Sequence, residues 1–342
     1  MTHLSFSPRA LAFAAFVVVI AAFPLAAQGL TANLYDFYLQ QLSWVMIFGL
    51  FCMSLDLLVG IAGLVSLGHA AFFGLGAYFL ILVTPEYSAP AIHVAVPLAL
   101  AGVGLVALVV GALVLRTSGI YFIMVTLAFG QMFFYFFNDS KVAGGSDGIY
   151  LFVKPVLELG GITLVDLASN TQFYYTTLVV LVLAYGLLRM VLNAPFGKVI
   201  AGIGINEART RALGYDVYFY KLTVFVIASV LAGLAGMLAA SQYGFVNPSM
   251  LAWHMSGTAL VTVILGGMGT LIGPLLAAFV IEALRHGLEA LTAHWLLPFG
   301  LLIVMMVIVM PRGLAGISLK KLWWRRPGVK AETAAAEKEA AV

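Results

Sequence analysis

At 342 residues, 63% hydrophobic and only 9% charged, with a mean hydropathy of +1.08, the chain lacks the polar surface that a water-soluble domain requires. Its apolar runs of about 20 residues suit membrane-spanning helices and not a membrane β-barrel, whose strands would alternate in character. The formal charge of +3 decides little, but the placement of the 17 basic residues decides more.

The first apolar run, Ala10 to Ala27, follows Arg9. It reads either as a signal peptide with a poor cleavage site at Leu25-Ala-Ala or as a retained span, and Leu25 favours the span. The second run, Gln41 to Ile61, follows an aromatic patch of Tyr35, Phe37, Tyr38 and Trp44 that suits a membrane interface. A Gly/Ser/His-bearing break from Gly60 to His69 leads into a third run ending at Val83. The fourth spans Ile92 to Leu115 and the fifth Ile120 to Phe137. After a glycine-rich, mostly polar segment from Asn138 to Asn170, the sixth spans Phe173 to Leu192. A central loop follows, then a seventh run from Leu222 to Ala240. The eighth, Ser256 to Leu265, is short and is interrupted by Gly266-Gly-Met-Gly-Thr-Leu-Ile-Gly-Pro274; a ninth continues to Leu284. The tenth spans Trp295 to Met310. Trp323-Trp324, flanked by Lys320, Lys321, Arg325 and Arg326, reads as an interfacial anchor, and the Ala/Glu/Lys tail beyond Pro327 as disordered.

The expected fold is therefore all-α: a polytopic membrane bundle of about ten transmembrane helices, some short or broken. Residues 1–316 form its membrane domain, with an external loop at 138–171 and a cytoplasmic loop at 193–221; residues 317–342 form a basic segment and tail. With both termini inside, only Lys141, Lys154 and Arg285 lie outside, and the other fourteen basic residues face the cytoplasm, as the positive-inside rule demands.

Phe196 to Lys221 holds Lys198, Arg209, Arg211 and Lys221 between two long apolar runs. Asn206 can N-cap a helix there and Gly214 can end one. Glu207 then falls in the first turn and Arg211 in the last, four residues apart in the favourable order. A helix of about two turns is not stable alone in water, so it must lean on something. It either lies against its own membrane domain or docks on a cytoplasmic partner.

Gly60 to Tyr78 holds the densest membrane glycine cluster, including Gly63, Gly68, Gly74 and Gly76, with Ser66 and His69 among them. Small residues let helix backbones approach, and a broken helix exposes polar backbone that can line a path. Plain helix packing with a tight turn is the other reading. Asp56 is the one acid well inside a span and should face the bundle interior, as polar glue or, with His69, as a proton-coupling pair. Thr126 and Gln131, also inside a span, can bond across helices or meet a polar solute. Gly144, Gly145, Ser146 and Asp147 lie in the longest external loop, where function or a solvated turn are both open. The sequence has no G-x-x-x-x-G-K-[ST] loop, no Cys/His metal spacing, no G-x-S-x-G elbow and no C-x-x-C pair, so neither ATP binding through a P-loop, a metal, a cofactor nor catalysis is expected. No nucleic-acid partner is expected either.

Taken together these motifs resemble the LivM-type permease subunit of bacterial branched-chain amino-acid ABC transporters. The likeness is carried by Gly63-Leu-Val-Ser-Leu-Gly-His69 through Gly74-Leu-Gly-Ala-Tyr78, by Gly119-Ile-Tyr-Phe with Thr126-Leu-Ala-Phe-Gly-Gln131, and by Gly144-Gly-Ser-Asp-Gly148. It continues in Asn206-Glu207 with Ala212-Leu-Gly214, in Lys221 with Ala232-Gly-Leu-Ala-Gly236, and in Gly266 to Pro274. The resemblance implies a path for leucine, isoleucine or valine across the inner membrane, along Ser66, His69, Thr126, Gln131 and Asp56. Similar permeases carry urea, short amides or aromatic acids. It also implies a second related permease, two cytoplasmic ABC ATPase subunits, and a periplasmic binding protein facing Gly144 to Asp147. By the same analogy Asn206, Glu207, Arg209, Arg211, Leu213 and Gly214 form a coupling helix that sits on an ATPase and has no partner in its own chain. Two departures stand out: Gly204 where the family usually has an arginine before the Asn-Glu pair, and an acid at Asp56 where asparagine is usual. The alternative is a self-sufficient proton-coupled carrier using Asp56 and His69.

Overall fold

The computed structural model describes residues 8–29, 31–84, 92–159, 162–292, 294–309 and 313–314. The interfacial tryptophans and the tail expected beyond residue 316 lie outside them.

Twelve helices follow one another among the described residues: α1 Pro8–Ala26, α2 Ala32–Asp56, α3 His69–Val83, α4 Ile92–Val114, α5 Ile120–Asp139, α6 Asn170–Asn193, α7 Pro195–Ile205, α8 Glu207–Ala212, α9 Val217–Tyr243, α10 Trp253–Gly266, α11 Ile272–Leu291 and α12 Leu296–Val309. Five of them are long and apolar enough to cross a bilayer: α2 with its extension to Ile61, α4, α5, α6 and α9. Each of the ten apolar runs coincides with a helix, and the glycine-rich interruption after the eighth run is a turn, Gly267–Leu271, between α10 and α11. The seventh run starts earlier than its hydropathy suggests, because Asp216 caps α9 by accepting the Phe219 amide at 3.3 Å. The central loop is mostly helix: Pro195 starts α7 at a position that needs no amide donor.

From Val45 to Met53 α2 is apolar on every side, and the helix is the centre of the bundle, packed by α6, α9, α10 and α11. Helices in lipid gain little from hydrophobicity and associate through close packing. α3 and α9 show how: a side chain at Gly76 would overlap the Gly233 backbone, and one at Gly236 would overlap the Phe73 carbonyl. α1 joins the bundle through α6. Pro24 leaves the Ile20 carbonyl without its helical donor, and the Tyr174 hydroxyl supplies one at 2.7 Å.

Contacts sort the connections into two ends. At one, β1 (Ile149–Tyr150) pairs antiparallel with β4 (Phe245–Val246), Ile149 opposite Val246, and Gln242 reaches the Gln40 carbonyl at 2.6 Å. A second ribbon pairs β2 (Val156–Leu159) with β3 (Ile162–Asp166). At the other end α7 and α8 lie beside Gly60 and Gly63, the α10–α11 turn and Gly313.

Candidate functional sites

The short helix forms where its cap residues place it. Asn206 Oδ1 accepts the Arg209 amide at 2.9 Å, and Gly214, at φ 89°, donates to the Arg211 carbonyl at 3.0 Å. Glu207 pairs with Arg211 at 2.8 Å. The expectation that this helix has no partner in its own chain fails. Glu207 also meets Lys221 of α9 at 2.5 Å, and Thr210 is buried toward α7, near Gly202. One flank is therefore held by the membrane domain and the other faces outward. There Leu213 is 73% exposed, Arg209 is exposed, and Ile205 is 85% exposed. Among the described residues Arg209 forms no ion pair. The sequence reading missed Ile205, whose only signal is an apolar residue directly before an N-cap.

In the membrane, the break between α2 and α3 brings several expected residues together. The free amides of the break need partners, since lipid offers none. The Leu67 amide donates to Thr126 Oγ1 of α5 at 3.3 Å, and the Ala70 amide to Ser256 Oγ of α10 at 2.8 Å. Gly68 crosses α5 so closely that a side chain there would strike the Thr126 carbonyl, and Gly130 faces Gly68 in turn. Ser66, Thr126, Gly68 and Gly130 share a void of about 10 Å³ closed by Phe129 and Phe225. Ser66 Oγ, Gln131 Nε2 and His69 Nδ1 are buried without a hydrogen-bond partner among the described residues.

His69 and Asp56 have separate partners. Ser54 Oγ donates to the Phe51 carbonyl at 2.7 Å, so the 2.9 Å contact with His69 runs from Nε2–H to Ser54. The Asp56 carboxylate, fully buried, accepts the Gly269 amide at 2.7 Å and the Leu271 amide at 2.9 Å. No hydrogen bond joins the two residues, although they sit on adjacent helices. Asp56 behaves here as the polar glue of the sequence reading, and its partner is the α10–α11 turn.

Gly144, Gly145, Ser146 and Asp147 form a tight double turn directly before β1, with left-handed backbone at Gly144 (φ 73°), Gly145 (φ 60°) and Gly148 (φ 76°). Ser146 and Asp147 bond each other at 3.3 Å. Lys154 in the same region reaches the Gln242 carbonyl at 3.3 Å; partial burial pulls its pKa below the usual lysine value, against the pull of the Asp166 carboxylate.

Cavities of about 520 Å³ and 490 Å³ open at opposite ends of the bundle. The first is lined by Trp44, Phe73, Tyr150 and Tyr243, the second by Gly60, Gly63, Lys198 and Gly204. Between them the buried core of α2, α3 and α9 is closed. Among the described residues no cluster of metal-ligating side chains exists.

A helical membrane bundle with a broken central layer, cavities at both ends and a half-exposed short helix at one end is built as a permease. The chain belongs to the family described as the permease component of the branched-chain amino acid transport system, whose model matches residues 37–310. It is 31% identical over 312 residues to the high-affinity branched-chain amino acid transport system permease protein LivM of Escherichia coli K12, covering 84% of this chain and 72% of that protein. The LivM protein of Salmonella typhimurium LT2 matches to the same extent. A shorter stretch, 29% of this chain and 32% of the relative, is 31% identical to the ribose import permease protein RbsC of Haemophilus influenzae. No solved structure matches the chain significantly. The protein is a multi-pass transport permease and not an enzyme.

Proposed function

We propose that the protein is the membrane subunit of an ATP-driven importer of branched-chain amino acids in the bacterial inner membrane. Hydrolysis takes place on two cytoplasmic ATPase chains that dock at α8, a second related permease completes the pore, and a periplasmic binding protein delivers the solute to the end carrying Gly144 to Asp147. The α7–α8 end faces the cytoplasm, because that sidedness leaves only Lys141, Lys154 and Arg285 outside. The observation that carries the reading is the half-held α8: Glu207 and Thr210 tie it to the membrane domain, while Arg209 within it, Ile205 just before it and Leu213 just after it are exposed. Exposed apolar residues on either side of an exposed cation in the chain suit a groove on a partner. Ser66, Thr126 and Gln131 line the route and Phe129 and Phe225 close it in the present conformation.

Alignment with LivM over 84% of the chain, against 29% with the ribose permease, favours amino acids over sugars. Proteoliposomes holding the complete assembly should take up labelled leucine with ATP, and excess isoleucine or valine should compete. Competition by ribose, urea or an aromatic acid in their place would transfer the substrate assignment.

A further inference from the structure

Three backbones meet closely, at glycines, at the α7–α8 end. The end of α2 widens into a π-turn over Leu57–Ile61, and the Leu64 amide reaches back to the Leu58 carbonyl at 2.8 Å. A side chain at Gly60 would overlap the Gly269 amide of the α10–α11 turn. One at Gly204, in the last turn of α7, would overlap the Ile61 carbonyl, and Gly63 faces Gly204 from the other side. The turn itself is braced: Thr270 Oγ1 donates to the Gly267 carbonyl at 2.7 Å and accepts the Gly273 amide at 3.1 Å. Asp56 bolts this braced turn to α2 through the Gly269 and Leu271 amides. A cavity of about 490 Å³ beside the junction leaves it room to shift as a unit.

We propose that Asp56 is a positioning residue for transport: it clamps the α10–α11 turn to the end of α2, against which Gly204 packs α7, so that the three form one rigid body that carries movement of α8 into the bundle. Backbone-to-backbone contact has no side-chain slack to absorb a displacement, and interfaces packed this way shift as units. The inference rests on the proposed ATP-driven reading. It assigns Asp56 no proton and no solute, consistent with its separation from the hydrogen bonds of His69.

The test places spin labels on cysteines at Met268, in the turn, and Lys198, on α7, in the complete transporter; Cys52, the single native cysteine, is fully buried and takes no label. Uptake and ATP hydrolysis are checked first, so that a failure of the ATP-driven reading is seen separately. The expected result is one distance distribution, unchanged between nucleotide-free and vanadate-trapped states. In Asp56→Ala the distribution should broaden and move with nucleotide, and uptake should fall about tenfold or more while hydrolysis continues, a size typical of lost coupling between sites. Labels that separate on trapping with Asp56 intact would overturn the proposal, and this readout holds even where Asp56→Ala does not fold. So would an Asp56→Ala protein with unchanged distances and uptake. An assembly with no ATP-dependent uptake at all would overturn the transport reading and the relay with it.

Discussion

Glu207 lies 2.5 Å from the Lys221 ammonium, tying the first turn of α8 to the start of α9, while its other oxygen holds Arg211 at 2.8 Å. The Lys221 side chain is only 14% exposed, so this pair is more sheltered than an ordinary surface ion pair. Glu207 and Arg209 are neighbours but do different work. Glu207→Lys should remove two ion pairs, lower stability by on the order of 1–3 kcal/mol and reduce uptake. Arg209→Glu should leave thermal stability unchanged and still abolish uptake. Melting curves of the purified proteins, set beside uptake, separate the two effects.

Glycines on the same chain should differ sharply in tolerance. Gly60→Ala drives a methyl group into the Gly269 backbone, and neither backbone can yield without opening the Asp56 clamp. Its expected cost is at least the 1–3 kcal/mol typical of a buried amide losing its partner. Gly186→Ala, in the middle of α6 with open space around it, should be neutral or gain about 0.5–1 kcal/mol from helix propensity. Comparing membrane yield and melting temperature of the two variants decides this.

Thr126 serves the break and faces the void. Thr126→Val leaves the Leu67 amide without its acceptor and should cost about 1–3 kcal/mol. Thr126→Ser keeps the acceptor and should restore stability. If Thr126 also lines the route, Thr126→Ser should change the ratio of leucine to valine uptake, because it removes one methyl group from the void wall; an unchanged ratio would reduce Thr126 to a packing residue.

Much of the fold was legible because bilayer helices declare themselves by length and hydropathy, and the α8 ends by local cap chemistry at Asn206 and Gly214. The interruption at Gly266 to Pro274 was visible as a glycine run. What stayed hidden depends on residues far apart in the chain. Asp56 stood out as an acid in a span, but its partners Gly269 and Leu271 lie 213 and 215 residues away. Leu271, the one non-glycine with left-handed backbone among the described residues (φ 60°), carries a strain of about 1–3 kcal/mol; the Ile272 amide closes the turn over it on the Thr270 carbonyl at 2.8 Å, and the distant Asp56 carboxylate accepts its amide. The β1–β4 pairing is long-range in the same way. α7 was missed because its Pro195 start and eleven residues of mixed apolar and glycine composition read as loop.

On the proposed reading, the exposed side of α8 faces the cytoplasm and is covered by an ATPase. Leu213→Cys tests both halves at once, since Cys52 is buried and the new thiol is the only reactive one. A membrane-impermeant maleimide should label it in inside-out vesicles, not in intact spheroplasts, and the ATPase chains should protect it when they are present. Labelling from outside in intact spheroplasts would place α8 on the wrong face, and equal labelling with and without the ATPase chains would rule out docking there.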